Sequence, residues 1–230
     1  MYPTMLKGLF KKARLTFVGK TPIFPINMQA MDSLQEKLDC LFPLGVFSTE
    51  QALEKGFSRS FLCLHVKKGD ILHVGRGLYT IPSSRIGEDE WLLLAMHHPD
   101  IVFSHETALF LNGLAEHIPL AMTVTLAGKA SLSPSARKSL RCFYVAPALF
   151  PIGLTKRKTP HGHEVPCYGA ERTVCDLLRS RRRMDEETVV GGVRNYLALP
   201  RSERNLSELF SMAQAFHVEN DVRRYVEISL

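Results

Sequence analysis

The sequence contains no apolar run approaching the roughly 18 residues that a membrane-spanning helix needs, which excludes a helical span. Paired-cysteine spacing is missing too. The five cysteines (Cys40, Cys63, Cys142, Cys167 and Cys175) are odd in number and scattered, which speaks against a disulfide framework and for reduced thiols in a cytoplasmic protein. There is no glycine-rich phosphate loop, no nucleophile elbow and no paired-carboxylate motif, so the common enzyme signatures are absent and neither catalysis nor a cofactor is expected. Internal repeats and low-complexity segments are also lacking. What remains is an ordinary globular composition: 230 residues, 45% hydrophobic and 23% charged, enough for a real core in one large domain or two small ones.

The net charge of +6 is unevenly placed. Residues 1–82 carry 11 Lys or Arg against 6 Asp or Glu, whereas residues 83–230 carry 18 against 17. Basic residues gathered in one module suit phosphate, because neutralising phosphates releases condensed counterions. The first 31 residues hold Lys7, Lys11, Lys12, Arg14 and Lys20, no acid, and three prolines. They lack the apolar core and cleavage site of a secretory signal and the serines of a transit peptide. Residues 1–31 therefore read as a loosely ordered basic arm, which either touches DNA or precedes a true start at Met28 or Met31.

From Asp32 the pattern becomes regular. Asp32 is placed to cap a helix with Leu34, Leu38, Leu41 and Phe42 at three- and four-residue spacing, stopped by Pro43-Leu44-Gly45. Ser48 and Gln51 have capping-box spacing at the start of a second helix that runs to about Lys55, with Gly56 as its left-handed stop. Ser58 caps a third, running through Phe61, Leu62 and Val66 to Lys68, with Gly69 beyond it. Two short helices joined by Gly56-Phe57-Ser58 make a helix-turn-helix. Asp70 to Val74 and Leu78 to Ile81 read as strands around a Gly75-Arg76-Gly77 turn, closed by Pro82. A helix-turn-helix followed by a glycine-turned hairpin predicts a winged helix over 32–82.

Residues 83–230 read as a second domain. Helices are expected over about Asp89–His97, from the Ser104 cap to Leu111, over about Ala170–Arg179, after the Asp185 and Asn205 caps, and from about Glu219. Strands are expected at Ile101–Phe103, Ala121–Leu126 and Arg141–Ala146, with a hairpin whose arms are Leu154-Thr155 and His163–Cys167. The class predicted is α+β: an N-terminal winged helix-turn-helix followed by a mixed α/β domain ending in a run of helices.

Four stretches of the first module, Gly-Val-Phe-Ser-Thr-Glu-Gln-Ala, Gly-Phe-Ser-Arg-Ser, Lys-Lys-Gly-Asp-Ile-Leu and Gly-Arg-Gly-Leu-Tyr-Thr-Ile-Pro, resemble the N-terminal domain of AbiEi-type antitoxins. Ser104-His105-Glu106-Thr107-Ala108-Leu109 with Asn112-Gly113-Leu114, and Glu171-Arg172-Thr173-Val174-Cys175-Asp176-Leu177-Leu178-Arg179, are similar to two further stretches of that family. The resemblance covers about Leu34 to Leu230 and leaves out only the basic arm. It departs at Asn112, where the family more often has His, and at Leu64 and His65, where a basic residue and a buried Leu are expected. The resemblance implies a bacterial type IV toxin–antitoxin system. In such a system the antitoxin represses its own operon by binding inverted repeats in the promoter. Its C-terminal domain counteracts a nucleotidyltransferase-like toxin without an obligatory direct complex. The alternative is a winged-helix regulator with an unrelated effector domain and no toxin.

In a winged helix the second helix of the motif enters the major groove N-terminal end first. Ser58, Arg59 and Ser60 then reach the groove, with Arg59 suited to guanine O6 and N7 and Ser58 serving foremost as the N-cap. Lys67 and Lys68 at the helix end suit phosphates or the helix dipole, and Arg76 at the wing tip suits a phosphate or the minor groove. Leu64 faces the groove as an apolar residue, which argues against rich base readout at mid-helix. Arg172 and Asp176, at i, i+4 spacing, read first as an ion pair and otherwise, with Arg181, Arg182 and Arg183, as a candidate antitoxin surface. The arginine run and Lys156-Arg157-Lys158 read as solvated charge or a second nucleic-acid surface. His161, His163, Cys167 and Cys175 match no zinc spacing, and His105-Glu106 at a helix start is explained by packing and the helix dipole.

Overall fold

The computed structural model describes residues 33–75, 77–82, 89–130 and 132–229; the basic arm, Asp32 and Arg76 lie outside the described residues. The chain divides into two compact units, residues 1–99 and 100–230. Both contain helices and a sheet, so the protein is α+β.

The first unit runs α1 (Leu34–Leu41), β1 (Val46–Ser48), α2 (Thr49–Glu54), α3 (Arg59–Lys68), β2 (Leu72–Gly75), β3 (Leu78–Thr80) and α4 (Glu90–His97). Local hydrogen bonding sets most boundaries. The cap of α1 is Ser33, not Asp32: its hydroxyl accepts from the Glu36 amide while the Glu36 carboxylate accepts from the Ser33 amide. Ser48 and Gln51 make the same reciprocal pair at α2, and Ser58 Oγ accepts from the Phe61 amide at α3. Gly56 and Gly69 end α2 and α3 at φ of 86° and 80°, in left-handed backbone that other residues enter at a cost. Strand β1 was not anticipated. It pairs antiparallel with β3, giving the order β1-β3-β2. Leu38, Phe42, Phe47, Ala52, Leu62, Ile71 and Ile81 form one core between the helices and this sheet. The expected boundary after Pro82 also shifts, because α4 groups with the first unit. A Cβ on Gly75 would meet the His97 ring at 1.6 Å, so the end of β2 and α4 lie in close contact.

The second unit contains β4 (Val102–Phe103), α5 (His105–Leu111), β5 (Met122–Ala127), α6 (Pro134–Ser139), β6 (Leu140–Val145), β7 (Leu154–Lys158), β8 (Glu164–Tyr168) and α7 (Ala170–Ser180). A 3-10 turn over Arg181–Arg183 follows, then α8 (Glu186–Ala198), α9 (Leu206–Ala215) and α10 (Glu219–Ser229). The sheet order is β6-β5-β4-β8-β7, with β5 and β6 parallel, β4 and β8 parallel, and the other two pairings antiparallel. Helix α6, capped by Ser133 with proline in its first turn, was not anticipated. Ser104 was expected to cap α5, but its hydroxyl accepts from no amide of the helix. Its hydroxyl instead receives the Thr125 hydroxyl at 2.9 Å, and Thr123 Oγ1 on β5 accepts the Thr107 amide at 2.9 Å. Thr123 thus does the capping from the neighbouring strand.

The helices of this unit pack around a cluster including Val174, Leu177, Val193, Leu209, Met212 and Phe216. Beside it lies a buried cation. Arg172 is 0% exposed, with Nε donating to Asp176 Oδ2 at 3.0 Å and Nη1 donating to the carbonyls of Leu149 (2.9 Å) and Ile152 (2.6 Å). Its guanidinium lies 4.0 Å from the ring centres of both Tyr168 and Phe216. Gly153, at φ of 73°, makes room for it, since a Cβ there would sit 2.5 Å from Arg172 Cβ. Asp176 is 1% exposed, so the pair lies in the core and the expectation that it forms part of an antitoxin surface is corrected. The flanking residues are also structural. Glu171 Oε1 accepts from the Asn205 amide and the Tyr196 hydroxyl, and Thr173 donates to the Gly169 carbonyl.

Removing one partner of a buried pair strands the other charge. Asp176→Ala should therefore destabilise the second unit by about 3–5 kcal/mol in urea unfolding and leave the first unit's transition in place. A loss below about 1 kcal/mol would show that the pair does not hold this core together.

Candidate nucleic-acid interface

The amphipathic pattern of α3 sorts its side chains into two halves. At about 100° per residue, Arg59, Cys63, Lys67, Ser60, Leu64 and Lys68 follow one another around one side, and all six are exposed. Phe61, Leu62, His65 and Val66 fill the other side and pack inward. The helix carries no acid.

Aromatic contacts fix that orientation. Tyr79 stacks on Phe47 (5.7 Å between centroids), Phe47 on Phe42 (4.1 Å), and Phe42 meets Phe57 (6.2 Å). Phe57 stacks on Phe61 (4.7 Å), and Phe61 meets the His65 ring at a tilt (4.1 Å). His65, where a buried Leu was expected, is therefore an inner residue. Its Nδ1 lies 2.6 Å from Asp70 Oδ2, and its carbonyl accepts from the amides of Asp70 and Ile71, so the end of α3 is tied to the turn into β2. The start of α2 is tied to the other end of the hairpin, with the Thr49 amide and hydroxyl both donating to the Gly77 carbonyl.

Five of the six residues expected at DNA are therefore described, and all five are exposed: Ser58, Arg59, Ser60, Lys67 and Lys68. Arg59 and Ser60 lie in the first turn, where the positive end of the helix dipole adds to the arginine. Ser58 is the cap. Arg76, the sixth, lies outside the described residues. Cys63 was not among the expected residues, although its i+4 spacing from Arg59 puts it on the same face.

The fold has a known counterpart. The crystal structure of the RV2827C protein from Mycobacterium tuberculosis superposes with a TM-score of 0.55 over 84% of this chain and 79% of that one, at 10% sequence identity. No protein-family model matches the chain, and no curated protein does.

In the second unit the arginine run is partly committed. Arg181 pairs with Asp221 at 2.6 Å. Arg183 donates to the Cys142 carbonyl and stacks 4.5 Å from the centre of Phe143, while Arg179 donates to the Tyr144 carbonyl. Both acceptors belong to β6, an edge strand of the sheet, so these arginines occupy carbonyls that another strand could otherwise engage. Arg182 is exposed with no partner among the described residues. In the Lys156–Lys158 run, Lys156 pairs with Glu164, and Arg157 donates to Asn112 Oδ1 at 2.8 Å. Asn112 also donates to the carbonyls of Ala108 and Tyr168, a three-way tie that engages both ends of its amide.

The histidine and cysteine candidates separate. Burial pushes the Cys167 and Cys175 thiols up to about 12, while His161 is exposed. Among the described residues no three His, Cys, Asp or Glu side chains are grouped to share a metal ion. His105 is 2% exposed and stacks 3.5 Å from Phe143, with Nδ1 2.9 Å from Ser104 Oγ and Nε2 3.0 Å from Ser180 Oγ. It presents no face to a reactant. Glu106 is bound by Arg141 at 2.6 Å.

Burial, reinforced by the nearby guanidiniums of Arg179, Arg172, Arg141 and Arg183, lowers the His105 pKa well below its ordinary value. The unfolded chain therefore binds a proton that the folded chain refuses. Its contribution to stability is intact above about pH 6.5 and is lost as pH falls below that value. His105→Asn, which tolerates the left-handed φ of 49° at this position, should unfold with a shallower loss between pH 6.5 and 5 than the unaltered chain. Parallel pH–stability curves for the two proteins would contradict this.

Proposed function

We propose that the first unit is a winged helix-turn-helix that binds operator DNA. In this reading the chain is an AbiEi-type antitoxin that represses its own operon and counteracts a nucleotidyltransferase-like toxin through its second unit. The observation that carries the DNA-binding half is the outer face of α3: acid-free, exposed along its length, with Arg59 and Ser60 at its start and Lys67 and Lys68 at its end. The element order, helix–strand–helix–helix–strand–strand with β1 against β3, supports the winged-helix reading. Arg59 reads a guanine edge, and Lys67 and Lys68 contact phosphates. The inverted repeats expected in the promoter supply two half-sites.

The antitoxin half rests on the sequence resemblance. Because Arg172 and Asp176 are core residues, the Glu-Arg-Thr-x-x-Asp stretch is explained by the architecture of the second unit. That favours keeping the second reading, a winged-helix regulator with no toxin partner. Co-expression with the product of a neighbouring nucleotidyltransferase-like gene separates the two: rescue of growth supports the antitoxin, and continued toxicity supports the plain regulator.

Arg59→Ala should cost about 1–3 kcal/mol in specific binding and relax preference at one base position. Replacing Lys67 and Lys68 together by Ala should weaken operator and scrambled DNA alike, and reduce the slope of log affinity against log salt by about two. If Arg59→Ala weakens both DNAs equally, it reads no base.

A further inference from the structure

The middle of the exposed face of α3 is neither basic nor polar. Leu64 is 48% exposed there, on the same side as Ser60 and Lys68, with the exposed Cys63 beside it. The core does not explain this placement, since the inward positions are already filled by Phe61, Leu62, His65 and Val66. An exposed leucine flanked by Arg59 and Ser60 on one side and Lys67 and Lys68 on the other has an apolar surface inside a cationic frame. One duplex feature matches it. The C5-methyl of thymine is the apolar group on the major-groove edge of a base pair, and it lies between phosphate rows that the lysines can reach.

We propose that Leu64 sets base preference by packing on a thymine methyl in the major groove. This rests on the winged-helix reading of the first unit and adds a second base position to the guanine assigned to Arg59. Leu64 lies five residues beyond Arg59, about 7.5 Å along the helix. That places the thymine within about two base pairs of the guanine. The apolar mid-helix then contributes discrimination in place of a hydrogen bond. It favours an A·T pair in one orientation, and it adds affinity without adding salt dependence.

The test uses the full chain and DNA selected from a random duplex pool. The selected half-site should contain a thymine next to, or within about two pairs of, the guanine lost from the preference of Arg59→Ala. Replacing that thymine by deoxyuridine deletes one methyl and should weaken binding about fourfold. Leu64→Ala should bind more weakly and be indifferent to the replacement, while Leu64→Met should keep the sensitivity. Because Leu64 is exposed, both variants should fold, and this is checked by their thermal transitions. An equal deoxyuridine effect in the unaltered chain and Leu64→Ala, or no effect in either, overturns the proposal. So does a selected site without thymine, or a Leu64→Ala variant that changes only its oligomeric state. If no sequence is selected and no duplex is bound, the winged-helix reading itself fails, an outcome distinct from the others.

Discussion

The packing of one half of α3 against the aromatic file Tyr79–Phe47–Phe42–Phe57 is the constraint on which the first unit depends. Phe61, Leu62, His65 and Val66 give the short helix only one way to lie on its core. The six exposed positions follow from that by geometry. Rotating the helix by a third of a turn would bury a lysine and expose a phenylalanine, a cost of several kcal/mol in desolvation and lost apolar burial. The same packing that stabilises the unit therefore decides which side chains a partner meets. His65 adds a second restraint, because its bond to Asp70 and the capping of its carbonyl hold the end of α3 to the hairpin.

The second unit is organised around a different kind of constraint. Arg172 carries a full charge into a site with no exposed surface, and its neighbours compensate through a carboxylate, two carbonyls and two aromatic faces. Those partners come from α7, the segment between β6 and β7, β8 and the end of α9. One side chain thus ties together elements that are distant in sequence. Such a pair contributes less net stability than an apolar replacement often would, but it tolerates few alternative arrangements. The arginines that follow it on α7 and in the 3-10 turn have a related role at the edge of the sheet, where they occupy the carbonyls of Cys142 and Tyr144.

Local signals made much of this legible in the sequence. Ser48 with Gln51, Ser58 with Gly69, Asp185 and Asn205 mark helix ends by hydrogen bonds made within three or four residues, and the structure contains those bonds. Long-range pairing was not legible. Strand β1 is three residues long and exists only because β3 lies beside it. The capping expected of Ser104 is done by Thr123, which accepts from the Thr107 amide across 16 residues of sequence. Burial of Arg172 and Asp176 was invisible for the same reason, since i, i+4 spacing on a helix is identical for exposed and buried pairs. At the candidate interface, the capping residues and the 3.6-residue period were enough to put Arg59, Ser60, Lys67 and Lys68 on one exposed helix face. Cys63 shares that face by its i+4 spacing from Arg59, but a thiol carries no charge or hydrogen-bonding signal that points to DNA.

The proposed function requires that this chain reads DNA at its own promoter. Footprinting of the full-length protein on the DNA upstream of its gene tests this most directly. Two protected half-sites in inverted orientation, retained against excess scrambled duplex and weakened as salt rises, are the expected result. No protection, or protection equal on promoter and scrambled DNA, would contradict it.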